Sequence, residues 1–152
     1  MNVFVEYVMN NENTLVFGAD YYPEQWEREL WESDAKRMSE MGLTEVRLME
    51  FAWNLVEPQE GKYDFSLFDE IINIFASHGI KTILGTPTAT FPVWLYEKDP
   101  QIMQVYLDGS RKDFGIRRHA CYNADTYFDS CMNIVDVLAK HYGNNSNVIG
   151  WQ

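Results

Sequence analysis

The stretch "TLVFGADYYPEQW" (14–26) decides between two architectures that the rest of the chain allows. Its first part is apolar and β-branched, and it predicts a strand over residues 14–22. A doubly wound sheet that binds nucleotides carries G-x-G-x-x-G or G-x-x-x-x-G-K after its first strand. Bulky aromatic residues and a proline stand there instead. This favours a barrel over a doubly wound sheet.

The sequence beyond this stretch alternates strand patterns with helical ones. Three further strands are predicted, "EVRLMEF" (45–51), "IKTILGTPT" (80–88) and "VIGWQ" (148–152). Between the strands lie three apolar stripes at helical spacing. The stripes are Trp31, Ala35, Met38 and Gly42; then Phe68, Ile71, Ile72 and Phe75; then Phe128, Cys131, Val135, Leu138 and Tyr142. The order β-α-β-α-β-α-β predicts an α/β fold with a parallel sheet.

A (β/α)8 TIM barrel needs eight such units and typically about 250 residues. This chain of 152 residues supplies three and a half. We therefore expect the N-terminal half of a TIM barrel, strands β1 to β4, truncated after the fourth strand. Residues 14–152 form this partial barrel in the prediction, and residues 1–13 form an N-terminal extension.

Composition excludes several classes of partner. The net charge is −11, which argues against nucleic acid and anionic membranes, because both bind basic patches. The N-terminus lacks the basic and apolar regions of a signal peptide, and no run approaches the ~20 apolar residues of a membrane span. With only two cysteines, free thiols are expected. These features predict a cytoplasmic protein.

The carboxyl ends of the predicted strands combine aromatic and polar side chains. In a barrel, function gathers at these ends, and aromatic faces beside hydrogen-bonding groups suit a sugar. The alternative is that the aromatic rings fill the core. The residues concerned are Asp20, Tyr21, Tyr22 and Trp26; Glu50, Phe51, Trp53 and Asn54; and Thr86, Thr88, Phe91 and Trp94.

The predicted loop over residues 87–124 is long enough to indicate a function, and it contains "FGIRRHACYN" (114–123). An arginine of the pair Arg117-Arg118 can donate to substrate hydroxyls or hold a carboxylate. The alternative is a surface loop that balances an acidic protein. His119 is interpreted as a structural hydrogen-bond partner. Cys121 is a candidate metal ligand, although a zinc site needs three or four donors.

Carboxylates are the groups that glycoside hydrolysis needs, in pairs. Glu50 is the best placed of them, at the end of the second strand, but the alternative is a buried carboxylate that pairs with Arg47, Arg117 or a backbone amide. Glu57 is interpreted as shaping a turn, and Cys131 as a core residue. The sequence offers no convincing pair of acid and nucleophile.

Six motifs taken together resemble the N-terminal half of the catalytic barrel of glycoside hydrolase family 42 β-galactosidases. The resemblance runs from about Val16 to Gln152. The motifs are "FGADYYPEQW", "W…D…RM…G", "VRLMEFAWNLVEPQEGKYDF", "GTPTATFPVWL", "FGIRRHACYN" and "VIGWQ".

The resemblance implies a retaining enzyme that hydrolyses terminal non-reducing β-D-galactosides. The family's acid/base glutamate follows strand four, four residues beyond the position of Gln152, and its nucleophile follows strand seven. No catalytic residue is therefore expected in this sequence. Arg117 matches the arginine that contacts galactose, and Cys121 matches a cysteine that binds structural zinc in some members.

The resemblance further implies that the full-length protein forms a homotrimer and requires no cofactor for the reaction. Two other functions stay open at this point. One is a glycosidase of the same clan with arabinoside or fucoside specificity, and the other is a sugar-binding module without catalysis.

Overall fold

The computed structural model describes residues 16–152. The predicted extension over residues 1–13 lies outside this range, so it stays a prediction. Among the described residues, no helix is long and apolar enough to cross a membrane.

Four parallel strands form one sheet in the order β1-β2-β3-β4. They are β1 (Gly18–Asp20), β2 (Glu45–Leu48), β3 (Lys81–Leu84) and β4 (Val148–Trp151). All three strand pairs are parallel, with one irregularity in the pairing of β3 with β4, beside Thr82 and Ile83. Every predicted strand is present, and among the described residues each strand is shorter than its predicted range.

Five helices within residues 16–152 connect and cover the strands. They are α1 (Arg28–Glu40), α2 (Trp53–Val56), α3 (Ser66–Ser77), α4 (Val93–Lys98) and α5 (Asp125–Tyr142). Short 3-10 turns lie at Pro23–Gln25, Pro87–Ala89 and Pro100–Ile102. The predicted loop over residues 87–124 thus contains a helix and two of these turns. The parallel α/β order is that of the first half of a (β/α)8 barrel.

Helix α3 packs against β3, and α1 packs against α3. Val46 and Leu48 of β2 are buried beneath them, as is Leu84 of β3. The stripe predicted for α3 is fully buried, from Phe68 to Phe75. Arg47 alternates with Val46 and Leu48, so it points to the other face, which becomes the interior when a barrel closes.

The predicted buried stripe of α5 is wrong at two positions. Tyr127 and Ile134 are buried instead of Phe128 and Val135, and Phe128 is 57% exposed. Tyr127 is held inward because its hydroxyl donates to the carbonyl of Thr88 at 2.6 Å. Phe128 and Val135 follow these two residues directly, so the apolar pattern alone fits either face.

Residues 1–152 expressed on their own are expected to self-associate. β1 and β4 are the outer strands of the described sheet, and unpaired strand edges invite pairing with another chain. Phe128 and Met132 also stand exposed one turn apart on α5. Analytical ultracentrifugation across a concentration series should detect oligomers. A monomer with one sharp thermal transition at low concentration would contradict this expectation.

Candidate active site

The carboxyl ends of the four strands meet at one edge of the sheet, and polar side chains gather there. Tyr22 follows β1, Glu50 follows β2, and Gln152 follows β4. Thr86 follows β3, and its hydroxyl donates to the carbonyl of Gln152 at 2.9 Å. Arg117 reaches this edge from the segment between β3 and α5. The predicted grouping of strand-end residues is therefore present.

Glu50 lies at the centre of this edge, with its side chain only 12% exposed. Its Oε1 atom accepts a hydrogen bond from Nη2 of Arg117 at 2.5 Å. Its Oε2 atom pairs with Nη2 of Arg47 at 2.8 Å and accepts from the Tyr22 hydroxyl at 3.3 Å. The interpretation of Glu50 as a paired carboxylate is confirmed, and both candidate arginines bind it.

Arg47 links Glu50 to the neighbouring strands. Its Nε atom donates to Oδ1 of Asp20 at 2.7 Å, and its Nη1 atom donates to Oε1 of Gln152. The hydrogen bond from Arg47 holds the pKa of Asp20 below its usual value. The same hydrogen bond raises the pKa of Arg47 above its usual value. Asp20 is therefore an anion at neutral pH, and this edge balances two guanidinium groups against two carboxylates.

Arg117 is half open to solvent, with 56% of its side chain exposed. Its Cζ atom lies 5.1 Å from the centre of the Phe51 ring, within the range of a cation–π contact. Phe51 in turn stacks on Tyr22 with ring centres 5.7 Å apart. Among residues 16–152, only Nη2 of this guanidinium has a hydrogen-bond partner, which leaves its Nε and Nη1 donors available to a ligand.

Two residues with left-handed backbone conformation adjoin this ion pair. Met49 has φ of 80° and Arg118 has φ of 56°, and within the described residues no other non-glycine residue has positive φ. Met49 precedes Glu50, and Arg118 follows Arg117. Such conformations cost of order 1–3 kcal/mol each and concentrate at functional sites. The backbone is thus strained at the two positions that bring Glu50 and Arg117 together.

His119 has the structural role predicted for it. It is 1% exposed and packs edge-on against Phe91 with ring centres 4.2 Å apart. Its Nδ1 atom donates to the carbonyl of Ile116, and burial holds its pKa below the usual value. A neutral imidazole therefore closes the turn that carries Arg117 and Arg118.

Cys121 lies in the same segment and is partly buried. Its backbone N–H donates to the carbonyl of Ile102 at 2.7 Å. Residues 16–152 contain no group of three or more His, Cys, Asp or Glu side chains able to hold a metal ion. Cys121 by itself does not make a zinc site, since zinc needs three or four ligands.

The remaining strand-end residues divide between core and surface. Trp53 is fully buried, and its Nε1 atom donates to Oε2 of Glu57 at 2.8 Å. The other oxygen of Glu57 accepts from the backbone of Gly61 at 2.8 Å, so its predicted turn-shaping role is confirmed. Trp26 is 55% exposed, and its predicted contribution to a sugar site stays a prediction.

The role of Arg47 as a link to Asp20 and Gln152 was not predicted from the sequence. A signal was present, because charged Glu45 and Arg47 alternate with apolar Val46 and Leu48 within one strand. That pattern places Arg47 on the face opposite the helices, where its register partner on β1 is Asp20.

Comparison with known proteins gives consistent matches over most of the chain. The sequence model of glycosyl hydrolase family 42, described as beta-galactosidase, matches residues 20–152. The beta-galactosidase BgaA of Clostridium cellulovorans is 51% identical over 135 residues, which cover 89% of this chain and 20% of that protein. A beta-galactosidase of Thermus thermophilus is 45% identical over 137 residues, covering 90% of this chain and 21% of the relative.

A solved structure supports the same relationship. The polyextremophilic beta-galactosidase of the Antarctic haloarchaeon Halorubrum lacusprofundi superposes with a TM-score of 0.87 at 40% identity, covering 91% of this chain and 21% of that one. This chain thus spans about a fifth of the length of the relatives that it matches. With its matched residues and its fold in agreement, the chain belongs to glycosyl hydrolase family 42.

Proposed function

We propose that the full-length protein is a retaining β-galactosidase and that residues 16–152 form part of its galactose pocket. The observation that carries this proposal is the half-exposed Arg117 at the carboxyl edge of the sheet, with two donor positions free of partners among the described residues. Family membership and relatives named beta-galactosidase support the same substrate class.

In the proposed reaction one carboxyl group protonates the leaving oxygen while a second attacks the anomeric carbon. The family pattern places these two glutamates after strands four and seven, and neither motif occurs in this sequence. The contribution of this chain is to bind and orient the sugar. Arg117 donates from Nε and Nη1 to ring hydroxyls, and these charge-assisted hydrogen bonds fix the sugar ring.

The proposed mechanism uses two carboxyl groups and needs no cofactor. A structural zinc ion at Cys121 would require ligands beyond residues 16–152. We further propose that the full-length protein works in the cytoplasm as a homotrimer on a galactoside substrate, without binding nucleic acid or membrane. The acidic net charge of −11 supports the last part of this proposal.

The test is substrate turnover by the full-length protein. Nitrophenyl β-D-galactoside should be hydrolysed with a higher kcat/KM than the corresponding α-L-arabinoside and β-D-fucoside, because these lack the C6 hydroxymethyl and hydroxyl groups respectively. Proton NMR of the first-formed sugar should show the β-anomer, as retention requires. A preference for either other glycoside would overturn the substrate assignment, and sugar binding without turnover of any glycoside would indicate a non-catalytic module.

A further inference from the structure

We propose that Glu50 is a positioning residue that holds Arg117 in the orientation needed to bind substrate. This inference deepens the proposed function and rests on it. It assigns Glu50 a part in binding through Arg117, without direct contact with the reacting atoms.

The first support is the way in which Arg117 is anchored. An arginine with 56% of its side chain exposed would otherwise sample many rotamers. Two consecutive residues after β2 restrain it, Glu50 through the charge-assisted hydrogen bond of 2.5 Å and Phe51 through the ring beneath the guanidinium. The orientation of Arg117 is therefore set by the end of β2, although Arg117 belongs to a distant segment.

The second support is that Glu50 is itself held by the framework of the sheet. Arg47 within β2 and Tyr22 after β1 both bind its Oε2 atom. With Arg117 on Oε1, three donors occupy a carboxylate that has about four acceptor positions. Glu50 is thus largely committed to protein partners, which suits a group that orients another residue and does not suit a nucleophile.

The third support is the backbone at both ends of the ion pair. Met49 and Arg118 adopt left-handed conformations next to Glu50 and Arg117. Strained conformations persist only where the surrounding structure determines them. Here both strained residues adjoin the two partners of a single contact.

A double-mutant cycle in the full-length enzyme tests the inference. Glu50→Gln should lower kcat/KM for nitrophenyl β-galactoside about 10-fold, because a neutral amide holds the guanidinium weakly. In the Arg117→Ala background the same change should lower kcat/KM less than about twofold, since residues that act through one another are not additive. The matched control is Glu60→Gln, which breaks the exposed pair of Glu60 with Lys98 and should leave kcat/KM unchanged.

An equal loss in both backgrounds would show that Glu50 does not act through Arg117, and it would overturn the inference. If Glu50→Gln fails to fold, Glu50→Asp keeps the negative charge but withdraws the carboxylate from Arg117 by one methylene group. That variant should also lower kcat/KM and be non-additive with Arg117→Ala. Additivity in this second cycle would count against the inference in the same way.

A crystal structure of the full-length Glu50→Gln variant gives a readout independent of turnover. The guanidinium of Arg117 should leave its place over Phe51, whereas an unmoved guanidinium would overturn the inference. If the wild-type protein hydrolyses no galactoside, the proposed function is wrong, and the crystal structure still decides whether Glu50 positions Arg117.

Discussion

The chain of 152 residues, incubated alone with nitrophenyl β-D-galactoside, is expected to release no nitrophenol above a buffer blank. Retaining hydrolysis needs two carboxyl groups ~5–5.5 Å apart on a preorganised framework. One must be protonated at the start of the reaction, and the other must be free to attack the anomeric carbon.

Neither carboxylate at the carboxyl edge of this sheet meets those requirements. The hydrogen bond from Arg47 lowers the pKa of Asp20, so Asp20 carries no proton to donate at neutral pH. Glu50 is enclosed by Arg47, Arg117 and Tyr22. The expected loss relative to the activity proposed for the full-length protein is therefore complete.

The measurement compares the purified chain, its Glu50→Gln variant and a blank over several hours. Turnover that Glu50→Gln abolishes would make Glu50 catalytic and would contradict both this prediction and its assignment as a positioning residue. Turnover that survives the change would indicate a contaminating galactosidase of the expression host.

If the proposed function holds, Arg117→Ala in the full-length protein is expected to lower kcat/KM for the same substrate by about 10- to 100-fold. A hydrogen bond from a charged donor contributes ~1.5–3 kcal/mol, and each ~1.4 kcal/mol corresponds to a factor of ten in rate. Arg117→Lys should rescue poorly, because a single ammonium cannot bind Glu50, cover Phe51 and present two further donors at fixed angles.

The matched control for this prediction is Arg118→Ala, which removes the same charge from the adjacent position. Arg118 is exposed, and the kcat/KM of the Arg118→Ala variant should stay within about twofold of wild type. If instead Arg117→Ala is the neutral change and Arg118→Ala the damaging one, the two assignments must be exchanged. Circular dichroism on both variants checks that the fold is retained.

The fold could be predicted from the sequence because its signals are local and repeated. The stripe from Phe68 to Phe75 specifies α3 at every buried position, and each observed strand lies within its predicted range. The pattern was ambiguous in α5, where adjacent apolar residues such as Tyr127 and Phe128 can each face inward. The inward position of Tyr127 is supported by its hydrogen bond to the Thr88 carbonyl, 39 positions away, and by its contact with the Phe91 ring.

The candidate site was predictable by residue type but not by geometry. Glu50, Arg47 and Arg117 could be named as partners from their charges and strand positions. The carboxylate of Glu50 binds both arginines at once. This arrangement depends on left-handed backbone at Met49 and Arg118. Methionine and arginine have no preference for that conformation, so no sequence pattern marks it.

The hydrogen bond between Arg47 and Gln152 joins residues 105 positions apart. A ribosome adds ~5–20 residues per second, so Gln152 is synthesised about 5–20 s after Arg47 at that rate. The pairing of β1 with β2 needs only the first 48 residues. Strand pairing takes far less than a second, so it can precede the synthesis of Gln152. Translation thus separates two stages in time: the sheet begins to form early, and the carboxyl edge on which Arg47, Glu50 and Arg117 converge gains its contact with Gln152 only after β4 has left the exit tunnel.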